Sequence, residues 1–267
     1  MHPMERLRMV ARASGEEPGV LAREAAAALS GCADDPRALV IACRRLVDRQ
    51  ATSGPLWWLA ARVVASADPR TEAWISAELL HDDVTPAVVA ASLPDDAVVT
   101  VLGWPEQVTD ALRRRGDARL LVVDSLGDGS LLVAALDRIG SEASLVPEAG
   151  IGAAVAASSL VLLDASAVGP GGFLAVTGSR AAAAVAYTEE IPVWVVAGVG
   201  RVLPERLWRA MVGKVTALVD PWDADWEVVP LELATAVVGP EGPLAPAEAL
   251  ALVDCPDAPE LTASASG

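Results

Sequence analysis

Residues 160–198 read LVLLDASAVGPGGFLAVTGSRAAAAVAYTEEIPVWVVAG. This stretch predicts a buried strand, a glycine-rich loop, a helix that begins at Gly178-Ser179, and a second buried strand that begins after Ile191-Pro192. Apolar strands joined through helices are typical of a parallel sheet that is covered on both faces. The stretch therefore predicts a protein of the α/β class.

The same alternation of strands and helices begins at residue 97 and continues to residue 197. Ligands of such sheets bind at the carboxyl ends of the strands, so the residues that follow the strands are candidates for function. Asp124 and Asp164 stand at two of these ends, and we expect them to converge on one crevice. The predicted strands are 97–103, 119–124, 143–147, 160–163 and 193–197; the predicted helices are 105–115, 130–139, 152–158, 178–188 and 203–212, with a further helix and a closing segment within 227–252.

Residues 4 to 90 carry only helical patterns. Trp57, Trp58 and Trp74 lie in this part, and we interpret them as core and interface packing rather than a ligand-stacking platform, because each buries a large area. The predicted helical segments are 4–14, 17–32, 36–50, 55–67 and 69–80. The predicted domains are a helical N-terminal domain at 1–93, a Rossmann-like α/β domain with a mostly parallel sheet at 94–255, and a flexible tail of small polar residues at 256–267.

The composition describes an acidic chain with enough apolar residues for a large core. Of 267 residues, 53% are hydrophobic, and the formal net charge is −16. An excess of carboxylates repels phosphate backbones and anionic lipid, so we expect neither nucleic acid nor a membrane surface as a direct partner. No apolar run reaches the roughly 18 residues that span a bilayer, and the N-terminus lacks the apolar core of a signal peptide. We expect a soluble cytoplasmic protein.

Histidine and cysteine are too sparse for most catalytic or metal chemistry. The chain has two histidines and three cysteines. Cys32, Cys43 and Cys255 form no CxxC pair and are interpreted as reduced thiols, and His81 is interpreted as a linker residue. The spacing supports no metal site, no Ser-His-Asp or Cys-His pair, and no cofactor.

Two groups of glycines suggest binding loops. Gly150 and Gly152 form a dinucleotide fingerprint that lacks its third glycine, and we favour a tight turn against a packed helix there. Further on, the run 169–172 precedes Gly178-Ser179, where backbone N–H groups and a hydroxyl at a helix N-terminus suit an anion. The alternative is that the glycines permit the backbone angles of the loop and that Ser179 caps the helix.

The order and spacing of residues 95–250 resemble the eIF2B α/β/δ family, which also contains the methylthioribose-1-phosphate and ribose-1,5-bisphosphate isomerases. Aligned on Gly178, Gly172 stands where the isomerases place a catalytic aspartate, although glycine is also usual there in the regulatory subunits. Gly171 and Gly178 match the family pattern, and Ser179 stands in place of threonine. Asp164 or Ala165 falls at the acid that ends the family's strand.

Other positions depart from the family pattern. Pro170 replaces an asparagine of the loop, and Ala175 and Val176 replace an Asn-Lys pair. In VVDSLGDGS at 122–130, Asp124 and Ser125 match a Glu-Ser pair, but Leu126 replaces the arginine that would bind a phosphate. Residues 239–242 read Gly-Pro-Glu-Gly where the family has Thr-Glu-x-Gly, and the cysteine that the isomerases need is absent between residues 43 and 255.

The resemblance implies a non-catalytic binding or regulatory protein that acts as a homo-oligomer through its α/β domain, with a small phosphorylated metabolite as its candidate ligand. A sugar-phosphate isomerase with relocated catalytic residues and a structural subunit of a larger assembly remain alternatives. The candidate ligand-binding residues are Asp124, Ser125, Asp164, Gly171, Gly172, Gly178 and Ser179.

Overall fold

The computed structural model describes residues 18–217 and 219–262. The helical segment expected at 4–14 and the last five residues lie outside these ranges. The chain divides into two compact units: the described residues of Met1–Asp83, Val199–Leu218 and Val253–Gly267 form the helical unit, and those of Val84–Gly198 and Val219–Leu252 form the α/β unit.

The described helices, in chain order, are α1 (Pro18–Ser30), α2 (Pro36–Arg49), α3 (Gly54–Ala65), α4 (Pro69–His81), α5 (Thr85–Ser92), α6 (Glu106–Leu112), α7 (Gly129–Asp137), α8 (Ile151–Ala156), α9 (Ser179–Thr188), α10 (Glu205–Thr216), α11 (Pro246–Ala251) and α12 (Pro259–Thr262). The strands are β1 (Val98–Leu102), β2 (Arg119–Val123), β3 (Ala143–Val146), β4 (Leu160–Asp164), β5 (Ala167–Gly169), β6 (Gly172–Val176), β7 (Val193–Val196), β8 (Trp226–Val229), β9 (Ala236–Gly239) and β10 (Gly242–Leu244). None of the helices in the described ranges has the length and apolarity to span a membrane.

In the helical unit, α2 and α4 begin at side-chain caps, and α3 is an apolar helix. Asp35 accepts hydrogen bonds from the backbone N–H groups at the start of α2, and Asp68 accepts one from Thr71 at the start of α4. Proline follows each cap in the first turn, where its missing N–H costs nothing. Trp57 and Trp58 on α3 are fully buried, as predicted, whereas Trp74 on α4 is 43% exposed and does not pack into the core.

The C-terminal segment differs from the frayed tail that its composition suggested. The indole of Trp58 donates a hydrogen bond of 2.8 Å to Asp254, and Arg44 donates one of 2.6 Å to the carbonyl of Glu260. Ala258 and Leu261 are buried. Because these two apolar side chains pack inward, residues 253–262 belong to the helical unit, together with α10, and the predicted boundary at residue 255 does not coincide with a unit boundary.

The α/β unit contains the predicted, mostly parallel sheet. Its seven strands lie in the order β10-β9-β7-β4-β1-β2-β3, and only the edge strand β10 runs antiparallel to its neighbour. The side chains of the strands pack into two apolar layers. One layer is formed with α5, α6 and α7, and the other with α8, α9 and α11. The predicted Rossmann-like architecture with helices on both faces is therefore confirmed.

A second, antiparallel sheet in the α/β unit was not predicted. It has the order β5-β6-β8, and Phe173 at its centre is fully buried in the same apolar layer as α9. Most of β8 lies in the segment 227–252, for which a helix and a closing segment were expected. β8 has only four residues and pairs with a strand some 50 positions earlier, so no local sequence pattern marks it.

Candidate functional site

The order in which the chain adds strands to the parallel sheet reverses beside β1. The chain passes from β1 outward to β2 and β3, and then returns to β4 on the other side of β1. Ligands of open α/β sheets bind outside the carboxyl ends of the strands at this switch point. Asp164 ends β4 and Asp124 follows β2, so the two carboxylates lie on one edge of the sheet, two strand spacings or roughly 10 Å apart along it.

Asp164 accepts a hydrogen bond from the first turn of a helix. Its Oδ2 accepts a hydrogen bond of 3.0 Å from the backbone N–H of Gln107, in the first turn of α6. The side chain of Gln107 in turn accepts a hydrogen bond of 3.1 Å from the N–H of Gly198, just after β7. A carboxylate at this position compensates the partial positive charge of the helix N-terminus. Asp164 therefore connects β4 to α6.

Asp124 has a similar role at α7. Its Oδ1 accepts a hydrogen bond of 3.3 Å from the N–H of Ser130. A Cβ at Gly129 would stand 2.8 Å from the Cα of Asp124, so glycine is required for this approach. Both strand-end aspartates thus carry helix-capping contacts.

Ser125 links the loop after β2 to the start of α9. It is buried, and its Oγ donates a hydrogen bond of 2.8 Å to the carbonyl oxygen of Thr177. The next residue, Gly178, has φ +91°, and a Cβ there would lie 3.2 Å from the side chain of Leu102 at the end of β1. The start of α9 therefore lies at the carboxyl edge of the parallel sheet, beside β1 and β2.

Leu126 occupies the position at which the family resemblance places a phosphate-binding arginine. It is 47% exposed and has a left-handed backbone with φ +58°. This conformation is uncommon for a bulky residue. The loop after β2 presents an apolar side chain here, and no cation.

The glycine run 169–172 is a hairpin turn. Gly169 and Gly172 pair across β5 and β6, with Pro170 and Gly171 between them. Gly172 has φ +145°, and a Cβ there would collide with the carbonyl oxygen of Val229 on β8. This position, which the isomerases fill with a catalytic aspartate according to the resemblance, has no room for a side chain.

The hairpin glycines are distant from the other candidate residues. β6 runs from Gly172 to Val176 before the chain reaches Gly178, so the hairpin and the start of α9 are separated by roughly 13 Å of extended strand. Four of the candidate residues lie together at the start of α9: Asp124, Ser125, Gly178 and Ser179. Asp164 lies on the other side of β1 from them. Gly171 and Gly172 lie apart, in the hairpin.

The start of α9 has two features that the sequence did not reveal. The N-cap is Gly178 and makes no side-chain hydrogen bond, so Ser179 is the first helical residue and not the cap. Its hydroxyl is buried and has no hydrogen-bond partner among the described residues. The second feature is Glu227 on β8, whose Oε1 accepts a hydrogen bond of 3.0 Å from the N–H of Arg180.

Other candidate motifs are structural where the chain is described. At Gly150 a Cβ would come within 2.8 Å of the Val146 side chain, which fits the tight turn favoured from sequence. No cluster of histidine, cysteine and carboxylate that could hold a metal occurs within 18–217 and 219–262. Burial raises the pKa of the Cys43 thiol, and burial together with Asp254 raises that of Cys255 to about 12, so both thiols are protonated and poor nucleophiles.

No protein-family model matches the chain, and no curated protein matches its sequence. Solved structures do match. A translation initiation factor eIF-2B from Pyrococcus horikoshii OT3 superposes with a TM-score of 0.76 at 15% identity, covering 93% of this chain and 98% of the other. For eIF2B beta from Chaetomium thermophilum the TM-score is 0.71 at 16% identity, covering 92% and 88%.

A third match is the tetrameric eIF2B-beta2-delta2 complex from C. thermophilum, with a TM-score of 0.70 at 16% identity, covering 94% of this chain and 92% of that chain. The class that the fold defines is therefore a helical unit joined to a Rossmann-like α/β unit. Within that class the chain has the fold of the eIF2B subunits, as the sequence resemblance predicted.

Proposed function

We propose that the chain is a non-catalytic binding or regulatory protein with the eIF2B-subunit fold. It acts in the cytoplasm as a homo-oligomer, and its ligand is a small phosphorylated metabolite that binds beside the start of α9. Neither nucleic acid nor a membrane is a direct partner, since the net charge of −16 disfavours both.

The observation that carries the non-catalytic part is the packing of Gly172 against Val229. Isomerisation of a sugar phosphate moves a proton between adjacent carbons, so an acid/base group must lie within hydrogen-bond reach of the substrate. A side chain at position 172 would collide with the β8 backbone, so an acid/base group cannot be accommodated there.

The remaining reactive groups support the same proposal. Asp124 and Asp164 accept hydrogen bonds from the first turns of α7 and α6, where they stabilise the fold as carboxylates. The α/β unit contains no cysteine, because all three cysteines of the chain lie at positions 32, 43 and 255. Both strand-end aspartates, the candidate acid/base groups, therefore already accept backbone hydrogen bonds.

The ligand part rests on Ser179 and Gly178. A helix N-terminus binds anions through its unpaired N–H groups and its dipole. The Ser179 hydroxyl is buried without a hydrogen-bond partner among the described residues, and such groups are uncommon in proteins, which supports a ligand at this helix start. Ser125 fixes the backbone before Gly178 and so positions this helix start.

A direct test measures turnover and binding in the same preparation. We expect no ketose formation from methylthioribose-1-phosphate or ribose-1,5-bisphosphate, and a ligand-dependent rise in melting temperature with at least one sugar phosphate at constant ionic strength. Turnover that disappears in Asp124→Asn or Asp164→Asn would contradict the non-catalytic proposal.

A structural subunit of a larger assembly is the second candidate, favoured by the edge strand β3. This strand ends the parallel sheet, and Leu145 on it and Leu131 on the adjacent α7 are 47% and 61% exposed. An open strand edge with apolar side chains is a surface that another chain can cover. Light scattering tests the oligomeric part: a monomer at micromolar concentration would contradict the homo-oligomer.

A further inference from the structure

Glu227 places a carboxylate where the proposed ligand would place its phosphate. Its Oε1 lies 3.0 Å from the N–H of Arg180, the second residue of α9. A helix N-terminus carries about half a positive elementary charge, concentrated on the N–H groups of its first turn. One anion is enough to compensate this partial charge, and in this structure the anion is the carboxylate of Glu227.

The pairing of β8 with β6 holds Glu227 in this place. Ala175 on β6 pairs with Glu227, and the neighbouring pair is Val176 with Trp226. Because β6 leads directly to Gly178, the register of these two strands brings a residue 47 positions away to the helix start. The side chain of Glu227 is only half-buried, so it can turn away without separating the strands.

Within the described residues, the hydroxyl of Ser179 is left without a partner in the observed arrangement. With Glu227 on Arg180, the Ser179 Oγ stays buried without a partner among the described residues. A phosphate has more acceptor oxygens than a carboxylate and is able to accept from the hydroxyl and the backbone N–H together. Either the carboxylate of Glu227 or a phosphate accepts from the N–H groups of the helix start, but only the phosphate would also accept from the Ser179 hydroxyl.

We propose that Glu227 is an internal competitor for the phosphate-binding position at the start of α9. This inference rests on the proposed function, since it assigns the same position to the ligand. Phosphate binds only when Glu227 leaves Arg180, and the ligand must replace a contact that the protein already makes. Glu227 therefore weakens phosphate binding and selects ligands with further contacts to offer.

The test measures binding of inorganic phosphate to Glu227→Gln by titration calorimetry at constant ionic strength. Glutamine keeps an oxygen that accepts from Arg180, so the fold is retained while the negative charge is removed. The matched control is Glu189→Gln, which removes the same charge at the other end of α9. We expect Glu227→Gln to bind phosphate about tenfold to a hundredfold more tightly than the wild type and the control, as for one charge-assisted contact.

A second variant locates the effect. Adding Ser179→Ala to Glu227→Gln should remove most of the gain, because the hydroxyl then no longer contributes. Equal gains in Glu227→Gln and Glu189→Gln would mean a general charge effect and would overturn the inference. So would a gain that Ser179→Ala leaves unchanged, or no gain at all.

The outcomes separate this inference from the proposed function. If the wild type binds a sugar phosphate and Glu227→Gln binds phosphate no more tightly, the proposed function stands and the competitor does not. If the wild type binds no sugar phosphate while Glu227→Gln gains phosphate binding that depends on Ser179, the competitor stands and metabolite binding by the natural protein does not.

Discussion

Two hairpins in the α/β unit have nearly the same sequence and different surroundings. Residues 169–172 read Gly-Pro-Gly-Gly and residues 239–242 read Gly-Pro-Glu-Gly. In both, the first and last glycines pair across the turn, and the last one has a positive φ, +145° at Gly172 and +102° at Gly242. At Gly172 a Cβ would collide with β8, whereas at Gly242 nothing lies within 4 Å.

This difference shows how far a pattern of turn residues can predict a functional site. Both segments coincide with functional motifs of the eIF2B-type pattern, and both fold as turns because proline and glycine suit a tight reversal of the chain. The backbone requirement at the last position is common to the two hairpins. Apart from the third turn residue, the two hairpins differ in β8, which packs against Gly172 and also brings Glu227 to α9.

The largest expected effect compares Gly172→Ala with Gly242→Ala. Gly172→Ala combines an unfavourable φ with a collision against the Val229 carbonyl, and we expect it to lower the free energy of unfolding by about 3–5 kcal/mol. Gly242→Ala has the φ cost without the collision, about 1–2 kcal/mol. Urea unfolding of both variants measures the difference. Equal losses would show that β8 does not constrain the first hairpin.

The next comparison concerns the two strand-end aspartates. Asp164→Ala removes a carboxylate that connects β4 to α6 across 57 positions, and we expect a loss of about 1–2 kcal/mol. Asp124→Ala removes a longer contact of 3.3 Å to Ser130 and should cost about 0.5–1 kcal/mol. Unfolding midpoints of the two variants give the order. A larger loss for Asp124→Ala would mean that the local cap is the stronger one.

The sequence was sufficient for five of the seven strands because these are largely apolar runs, whereas β9 and β10 fall within 227–252, where a helix and a closing segment were expected. β1, β2, β4 and β7 lie within two residues of their predicted bounds, and the helices between them follow the predicted order. Periodicity and end signals act over a few residues, so they are visible in one segment at a time. The carboxyl-edge position of Asp124 and Asp164 followed from the same patterns.

The antiparallel sheet could not be predicted because its pairing is remote. β8 is a four-residue strand next to acidic residues, and its partner β6 was interpreted as part of a loop. The contact of Glu227 with α9 depends on that register, so no property of residues 220–230 alone indicates it. The collision at Gly172 depends on it equally. The least predictable strand therefore determines what the candidate site can do.

A smaller effect is expected from two carboxylates that lie near the hairpins. Glu227→Ala removes the acceptor for the Arg180 N–H at the start of α9, and we expect a loss of about 0.5–1 kcal/mol. Glu241→Ala changes an exposed residue in the turn of the second hairpin and should change stability by less than about 0.5 kcal/mol. Thermal unfolding at low salt compares them. No loss in Glu227→Ala would mean that solvent replaces the carboxylate at no cost.

The smallest expected effect comes from exchanging the turn residue that differs between the hairpins. Gly171→Glu gives the first turn the sequence of the second. Gly171 is exposed and lacks the positive φ of Gly172, so a side chain there meets no backbone penalty. Replacing a glycine at a compatible position restricts the unfolded chain and stabilises by about 0.4–1 kcal/mol. One more negative charge on a chain of net charge −16 opposes this gain and is screened by salt.

We therefore expect the unfolding free energy of Gly171→Glu to stay within about 0.5 kcal/mol of the wild type at low salt and to rise slightly above it at 0.5 M salt, where the repulsion is screened and the entropic gain remains. Urea titrations at the two salt concentrations measure both values. A loss above about 1 kcal/mol at both would mean that the first turn needs glycine at its third position as well as its fourth. The two hairpins would then differ in the turn itself, and the contrast between them could not be assigned to β8 alone.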